Sequence, residues 1–320
     1  MVDMRGWWQD LTDLVLPAEC GGCGKSRTVL CPECRAAVSG APPRRVRPVP
    51  EPPGLPVVHA AAPYEDEVRA LLLAHKERGA LALAAPLGAA LAGAVRACLR
   101  GTARVPEGSR ASAGAAAGAR EGTAVPAGRR EEVVVREPVL LVPVPSARKA
   151  VRARGHDPAR RIAFAAAGEL RRTGTSARVA GVLRQRRPVA DQSGLDSRQR
   201  LANLAGALAV VPGGGRLLAG GRIVLVDDLM TTGASLAEAA RAVRAACRET
   251  TVYDGMAWEG TAQRIARVTT ATREEPAHPA TGETDRAEGV LGMAGTNGGG
   301  DVLRAAVVAA SPESFEKNRN

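Results

Sequence analysis

Apolar and polar positions follow two spacings between residues 133 and 247. Runs of four or five apolar residues alternate with segments in which apolar residues recur every three to four positions. The short runs are typical of buried strands, and the wider spacing is typical of helices packed along one face. Strands that alternate with helices predict an α/β domain with a parallel sheet flanked by helices.

The flanking segments extend this prediction. Residues 57–100 predict a short strand followed by helix, with Val68, Leu71 and Leu91 on apolar faces. Val302 to Ala310 (VLRAAVVAA) predicts one more strand near the end of the chain. Residues 41–56 are rich in proline, which predicts an extended, semi-rigid linker.

Two polar stretches interrupt the pattern and are predicted to be insertions, the first of them disordered, because they hold almost no large apolar side chains. The predicted organisation is a small N-terminal module (1–40), the linker (41–56), the first strand and helices of the α/β domain (57–100), a disordered insertion (101–132), the α/β core (133–247), a low-complexity insertion (248–300) and a final strand with its tail (301–320).

Charge is distributed unevenly. The 320 residues carry 44 Lys and Arg against 33 Asp and Glu, a formal net charge of +11. Residues 136–222 alone hold 17 basic and 5 acidic side chains. A biased base composition explains the preference for Arg over Lys, but it does not explain this clustering. The cluster favours a phosphate-rich partner or substrate. The chain has only seven aromatic residues, which argues against a module that stacks single-stranded nucleic acid on rings.

No membrane span is expected. The best apolar run, Leu81 to Leu99, contains Pro86 and Arg96 and is mostly alanine, which is too weakly hydrophobic for insertion. Asp10 and Asp13 interrupt the N-terminal apolar stretch, which does not fit a signal peptide. We therefore expect a cytoplasmic protein whose thiols stay reduced.

Four cysteines near the N-terminus form two CxxC pairs, Cys20 with Cys23 and Cys31 with Cys34. Two such pairs can place four thiolates around one tetrahedral ion, and Zn²⁺ is the usual occupant. A redox pair would sit at a strand-to-helix junction, and disulfides do not suit a reducing compartment. Because four thiolates close the coordination sphere, the predicted zinc site is structural.

The segment from Arg222 to Ser235 combines a strand, two acids and a loop of small residues. Ile223 to Val226 predicts a buried strand that ends at Asp227 and Asp228. The following loop is Thr231-Thr232-Gly233-Ala234-Ser235, and Ser235 with Glu238 predicts a capping box that opens a helix. Hydroxyls and free N–H groups there suit a phosphate, and the carboxylates suit vicinal hydroxyls and Mg²⁺, so the segment predicts a ribose-5-phosphate site. Receiver domains and Walker B strands share the strand with its acids, and Ser235 alone can be a simple cap.

This segment resembles the binding motif of type I phosphoribosyltransferases, which bind phosphoribosyl pyrophosphate (PRPP). Further motifs stand in the order seen in ComF-type proteins, and the chain as a whole resembles that family. The resemblance implies a type I phosphoribosyltransferase-like parallel sheet with an N-terminal four-Cys zinc module. The motifs are Val142–Pro145, Arg154–Asp157, Arg184–Arg187 with Gln192, Arg200–Asn203, the double CxxC cluster and LLLAHKERG around Lys76.

The resemblance also implies roles for individual residues. Asp227 and Asp228 would bind the ribose hydroxyls directly or through Mg²⁺, and Thr231, Thr232, Gly233, Ala234 and Ser235 would hold the 5′-phosphate. The loop from Pro143 to Lys149 would meet the pyrophosphate through Ser146, Arg148 and Lys149. A mobile loop would include Arg184, Arg187 and Gln192. By contrast, Asp157 before Pro158 predicts a helix N-cap, and His75 and Lys76 are predicted to be structural.

Three functions remain open on this basis. The first is a phosphoribosyltransferase with an unknown acceptor, and the second is a non-catalytic regulator that binds PRPP or a nucleotide. The third, which the family's link to DNA uptake implies, is a DNA-associated accessory factor of transformation. Its partners would be competence or DNA-processing proteins and single-stranded DNA.

Overall fold

The computed structural model describes residues 19–100, 137–189, 196–250 and 303–315. The predicted insertion at 101–132, residues 251–300 of the second predicted insertion, and Gln192 of the predicted mobile loop lie outside these ranges.

Helices and strands alternate along most of the described chain. The helices are α1 (Pro32–Ser39), α2 (Asp66–Lys76), α3 (Ala84–Arg100), α4 (Arg148–Arg154), α5 (Pro158–Arg172), α6 (Ser197–Leu204), α7 (Gly214–Leu218) and α8 (234–250). The strands are β1 (Arg44–Val46), β2 (Val57–Pro63), β3 (Val139–Pro143), β4 (Ala177–Val179), β5 (Leu183–Gln185), β6 (Leu208–Val210), β7 (Arg222–Met230) and β8 (Arg304–Ala310).

Six strands form one sheet in the order β1-β2-β8-β7-β3-β4. The edge strand β1 is antiparallel to β2, and the other neighbours are parallel. This confirms an α/β fold with a mostly parallel sheet flanked by helices. Part of the proline-rich stretch 41–56 therefore belongs to the sheet as β1. Strands β5 and β6 form a separate antiparallel pair.

Both faces of the sheet are covered. Val224 and Val226 of β7 pack on the side of α2, α3 and α5, while Leu225 between them packs on the side of α8. Neighbouring strand residues point to opposite faces, so the strands must be apolar at nearly every position when both faces are buried. The all-apolar run of the last strand follows from this requirement.

The last strand occupies the middle of the sheet. The sequence predicts a strand from Val302 to Ala310, and the structure places β8 between β2 and β7 with every residue buried. Arg304 at its start is also buried, and its Nη1 donates to the backbone oxygen of Cys98 at 2.8 Å.

One helical segment of the described residues, Leu81–Arg100, is long and apolar enough to cross a membrane by length and composition, with a mean hydropathy of 1.6. More than half of that window is buried inside the fold, where α3 packs against α5 and the sheet. A core helix passes the same test, so the segment is weak support for a span.

The contact between α3 and α5 depends on a glycine. A Cβ added at Gly88 would lie 2.8 Å from the backbone nitrogen of Ala166, so the two helices cannot keep their spacing with a larger residue there. We expect Gly88→Ala to lower the free energy of unfolding by about 1–3 kcal/mol through overpacking.

Gly168 of α5 is the matched control, because a Cβ there meets nothing within 4 Å. Gly168→Ala should stabilise the protein by roughly 0.5–1 kcal/mol through helix propensity. Urea unfolding measures the free energy of unfolding of both variants. Equal changes in the two variants would contradict the close contact between α3 and α5.

Candidate functional site

The order in which successive strands join the sheet reverses between two neighbouring parallel strands. Strands β3 and β7 are paired, with Pro143 opposite Val226, and the Val144 amide donates to the Val226 oxygen at 2.9 Å. From β3 the next strand of the sheet, β4, lies on one side, and from β7 the next, β8, lies on the other. Loops that diverge in this way open a crevice at the carboxyl ends of the strands, where open α/β sheets bind ligands.

Two acids stand at this crevice. Strand β7 runs to Met230, opposite Ala310 of β8, so Asp227 and Asp228 lie within the strand. The prediction that the strand ends at these two acids is wrong, because Leu229 and Met230 continue the pairing with β8. Asp228 is 7% exposed, and its backbone amide donates to Oδ1 of Asp227 at 2.9 Å.

A lysine neutralises part of this pair. Nζ of Lys76, at the end of α2, lies 3.5 Å from Oδ2 of Asp228. The Asp228 carboxylate raises the pKa of Lys76, and burial with the neighbouring Asp228 raises the pKa of Asp227 well above its usual value. The helical pattern around Lys76 predicts a structural role and does not indicate this contact. In the sequence, only the position of Lys76 within the LLLAHKERG motif points to a role beyond structure.

The end of α2 is fixed by the last residue of α4 and by the turn that follows it. Arg154 Nη1 lies 3.0 Å from Oε1 of Glu77, and Nε2 of His156 is 3.3 Å from the backbone oxygen of His75. Arg154 and His156 therefore hold the end of α2, which carries Lys76, against the crevice.

The small-residue loop lies directly after β7. Gly233 has φ of 75°, and α8 begins at Ala234. The predicted capping box is wrong, because the Glu238 carboxylate accepts from the Leu208 amide at 3.0 Å and from Arg241 instead.

The same loop is held from two sides. A Cβ at Gly233 would lie 3.2 Å from Leu55, so a larger residue would press against that neighbour. Nη1 of Arg200, on α6, lies 3.4 Å from the hydroxyl of Thr231. Thr231 is exposed, while Thr232 and Ser235 are half-buried. The loop thus presents hydroxyls close to the acids and a guanidinium.

The loop after β3 forms the other wall of the crevice. The amide and hydroxyl of Ser146 donate to the two carboxylate oxygens of Asp157, each at 3.3 Å. Asp157 also accepts from the Arg160 amide at 3.3 Å, which confirms that it caps α5. Arg148 and Lys149, in the first turn of α4, are exposed.

The residues predicted for a mobile loop have different surroundings. Arg184 lies in β5 opposite Ala209 of β6. Arg187 donates to the backbone oxygens of Asn203 and Ala205, both at 2.9 Å. These bonds connect Arg187 to the end of α6, whose Arg200 contacts the loop after β7.

The four cysteines form a second centre. The sulfur atoms of Cys20, Cys23, Cys31 and Cys34 all lie within 4.8 Å of one another, and those of Cys23 and Cys31 are 3.6 Å apart. Tetrahedral zinc with Zn–S bonds of about 2.3 Å separates its sulfurs by about 3.8 Å. The cluster can therefore bind a metal such as zinc.

Backbone donors and tight turns prepare the cluster for a cation. Burial alone would raise the pKa of Cys20, yet backbone amides, first that of Cys31, bring the pKa down to about 6. Burial and the neighbouring thiols raise the pKa of Cys34. A Cβ at Gly22 would lie 2.6 Å from the Cys34 sulfur, so only glycine allows this approach. A bound cation would favour the thiolate form of all four.

The cluster shares one core with the α/β domain. Cys20, Cys31 and Cys34 belong to the same buried cluster as Leu71 of α2 and Leu83. A Cβ at Gly21 would lie 2.7 Å from Leu83. Loss of the metal should therefore affect α2 and α3 as well.

No family model matches the chain, and no curated protein matches it. The fold and the two sites define an α/β protein with a mostly parallel six-stranded sheet, a four-cysteine cluster and a pair of acids where the strand order reverses.

Because the pKa of Asp227 is raised and Asp228 pairs with Lys76, replacing the two acids by asparagine should change stability in opposite directions. Native Asp227 binds its proton more tightly than the unfolded chain does, so stability falls as pH rises above the usual Asp pKa of 3.8. Asp227→Asn removes this penalty and should raise the free energy of unfolding at pH 7, with the gain vanishing towards pH 4. Asp228→Asn removes the partner of Lys76 and should cost about 1 kcal/mol at pH 7. Urea unfolding between pH 4 and 8 checks both signs, and a loss from Asp227→Asn at every pH would contradict the assignment.

Proposed function

We propose that the protein is a ComF-type, phosphoribosyltransferase-like protein that binds PRPP with Mg²⁺ and transfers its phosphoribosyl group to an acceptor. The observation that carries the proposal is the position of Asp227, Asp228 and the Thr231–Ser235 loop at the reversal point of the sheet. A ligand with both hydroxyls and phosphates suits this combination of acids, hydroxyls and cations.

Each wall of the crevice matches a part of PRPP. The carboxylates of Asp227 and Asp228 accept hydrogen bonds from the vicinal ribose hydroxyls. The Thr231–Ser235 loop at the start of α8 receives the 5′-phosphate, with Arg200 beside it. The loop with Ser146, Arg148 and Lys149 follows β3, the strand next to β7, and its cationic donors suit a pyrophosphate.

The carboxylate pair also suits Mg²⁺, which prefers oxygen ligands. When bound, Mg²⁺ would neutralise charge on the pyrophosphate. Lys76 already balances Asp228 in the protein itself, so the pair has one positive neighbour before Mg²⁺ binds.

The transfer breaks the bond between C1′ and the pyrophosphate oxygen, whose electron pair leaves with the pyrophosphate. A nitrogen of the acceptor then forms the new bond to C1′ and releases its proton to water, so the products are the ribosylated acceptor, pyrophosphate and one proton. The carboxylates lie where they offset positive charge on the ribose, and the Arg and Lys donors stabilise the leaving group. DNA uptake is the process we propose for this activity, in the cytoplasm.

The concentration of arginines favours a second candidate, a DNA-associated accessory factor. Arg148, Arg152, Arg160 and Arg184 are all exposed. Binding to a DNA backbone releases counterions and weakens steeply as salt rises, whereas a compact site for PRPP is less sensitive. Affinities for single-stranded DNA and for PRPP, each measured between 50 and 300 mM salt, separate the two candidates.

Titration calorimetry tests the main proposal. PRPP with Mg²⁺ should bind one site per chain, and ribose without phosphates should not bind. Release of pyrophosphate with a panel of nitrogenous acceptors distinguishes a transferase from a regulator that binds without turnover. Absence of PRPP binding would contradict the proposal.

A further inference from the structure

A cavity of about 400 Å³ lies beside the loop that follows β3. Its wall includes Pro143 and Ser146 of that loop, the side of α4, the start of α5 and strand β5. None of the lining residues comes from β7 or from the Thr231–Ser235 loop. The cavity is therefore a neighbour of the crevice and shares the loop as a common wall.

The lining is strongly cationic. Four arginines face it, namely Arg148, Arg152, Arg160 and Arg184. Asp157 is the one acid among the lining residues, and its oxygens already accept from Ser146 and from the Arg160 amide. Among the described residues, none of the four arginines forms an ion pair. The Arg160 guanidinium lies 5.6 Å from the centre of the Phe164 ring, a contact that does not neutralise its charge, so the four charges are left for a ligand.

The remaining lining is apolar but not aromatic. Pro145, Val151 and Leu183 offer carbon surface, and no ring of Phe, Tyr or Trp lines the cavity. Base stacking on an aromatic side chain is therefore absent from this wall. A volume of this size holds a small organic molecule, and arginine forks recognise carboxylates and phosphates in pairs of hydrogen bonds.

We propose that this cavity binds the acceptor and that the acceptor carries at least two oxyanion groups, as a polycarboxylate or phosphate ester does. The inference rests on the proposed function, because the shared loop brings such a ligand next to the site for PRPP. It extends that function by assigning a charge class to the second substrate. It also assigns Arg152 and Arg160 to the binding of that substrate, while Ser146 and Arg148 on the shared wall stay with the pyrophosphate.

The test uses citrate and inorganic pyrophosphate as probes, titrated by calorimetry into the full chain with and without saturating PRPP. At least one probe should bind in the presence of PRPP. Arg152→Gln and Arg160→Gln should each weaken that binding at least tenfold. Arg161→Gln is the matched control, because this exposed arginine follows Arg160 in α5 but does not line the cavity.

Each outcome distinguishes the proposal for the cavity from the function proposed for the crevice. Binding of PRPP without binding of either probe overturns the cavity proposal and leaves the proposed function standing. Competition between probe and PRPP assigns the cavity to the pyrophosphate end of PRPP and overturns a second site. Equal weakening by all three substitutions shows non-specific attraction and overturns it as well. A probe that binds while PRPP does not supports the anion site and contradicts the proposed function.

Discussion

Asparagine at both positions 227 and 228 abolishes PRPP binding and leaves the protein folded: this is the largest functional effect we expect. The two side chains keep their shape but lose the charge that accepts the ribose hydroxyls and holds Mg²⁺. Hydrogen bonds to charged groups contribute about 1.5–3 kcal/mol each, so affinity should fall more than 100-fold. Titration calorimetry with Mg²⁺ present measures the loss.

Stability should change little in this double variant. The gain from removing the desolvated charge of Asp227 offsets the loss of the ion pair between Asp228 and Lys76. Glu169→Gln serves as the control, since it removes an acid of α5 that pairs with Arg172 and takes no part in the crevice. That control should bind PRPP within about threefold of the parent protein. Unchanged binding by a folded double variant would refute the assignment of the ribose site.

The second large effect concerns the cysteine cluster. Cys20→Ser removes one of four thiolates, and we expect the variant to lose the single zinc ion that elemental analysis should find in the parent. Because the cluster and α2 share a core, the loss should spread beyond the N-terminal segment. We expect about 3–5 kcal/mol of lost stability, which lowers the melting temperature by about 10 °C.

Cys247→Ala provides the comparison, because this half-buried cysteine lies in α8 and outside the cluster. It should retain the zinc and change the free energy of unfolding by less than about 1 kcal/mol. Parent protein purified without any bound metal would contradict the zinc assignment. A melting temperature unaffected by Cys20→Ser would show that the cluster does not support the core.

Local patterns predicted much of the fold. The alternation of apolar runs and helical periods predicts the α/β class, and the structure confirms it. The spacing of the four cysteines predicts a cluster, and their sulfurs do lie together. Asp157 before Pro158 predicts a cap, and its carboxylate accepts from the Arg160 amide. The cysteines and Asp157 interact with residues close by in the chain, and the α/β class follows from the local spacing of apolar residues.

The predictions were wrong where the local sequence pattern differs from the long-range contacts of the strand or the side chain. Two acids after four apolar residues predict the end of a strand, but β8 pairs with β7 as far as Met230. Ser235 with Glu238 matches a capping box, but the carboxylate of Glu238 accepts from Leu208, which is distant in the chain, and from Arg241 in the next turn of the same helix. Neither the pairing with β8 nor the contact with Leu208 could be identified from the neighbouring sequence.

The sequence by itself determined the class of fold, the cysteine cluster and the residue types at the candidate ligand site, because these depend on side-chain period, spacing and local hydrogen bonds. Only the tertiary structure decided that β8 lies in the middle of the sheet, that Lys76 meets Asp228, and that four arginines surround one cavity. An all-apolar strand suits any position in the sheet where both faces are covered. The sequence around a lysine on a helix does not indicate which acid the lysine pairs with. Long-range packing of apolar surface selects among these arrangements, and it brings together charges that are distant in the chain.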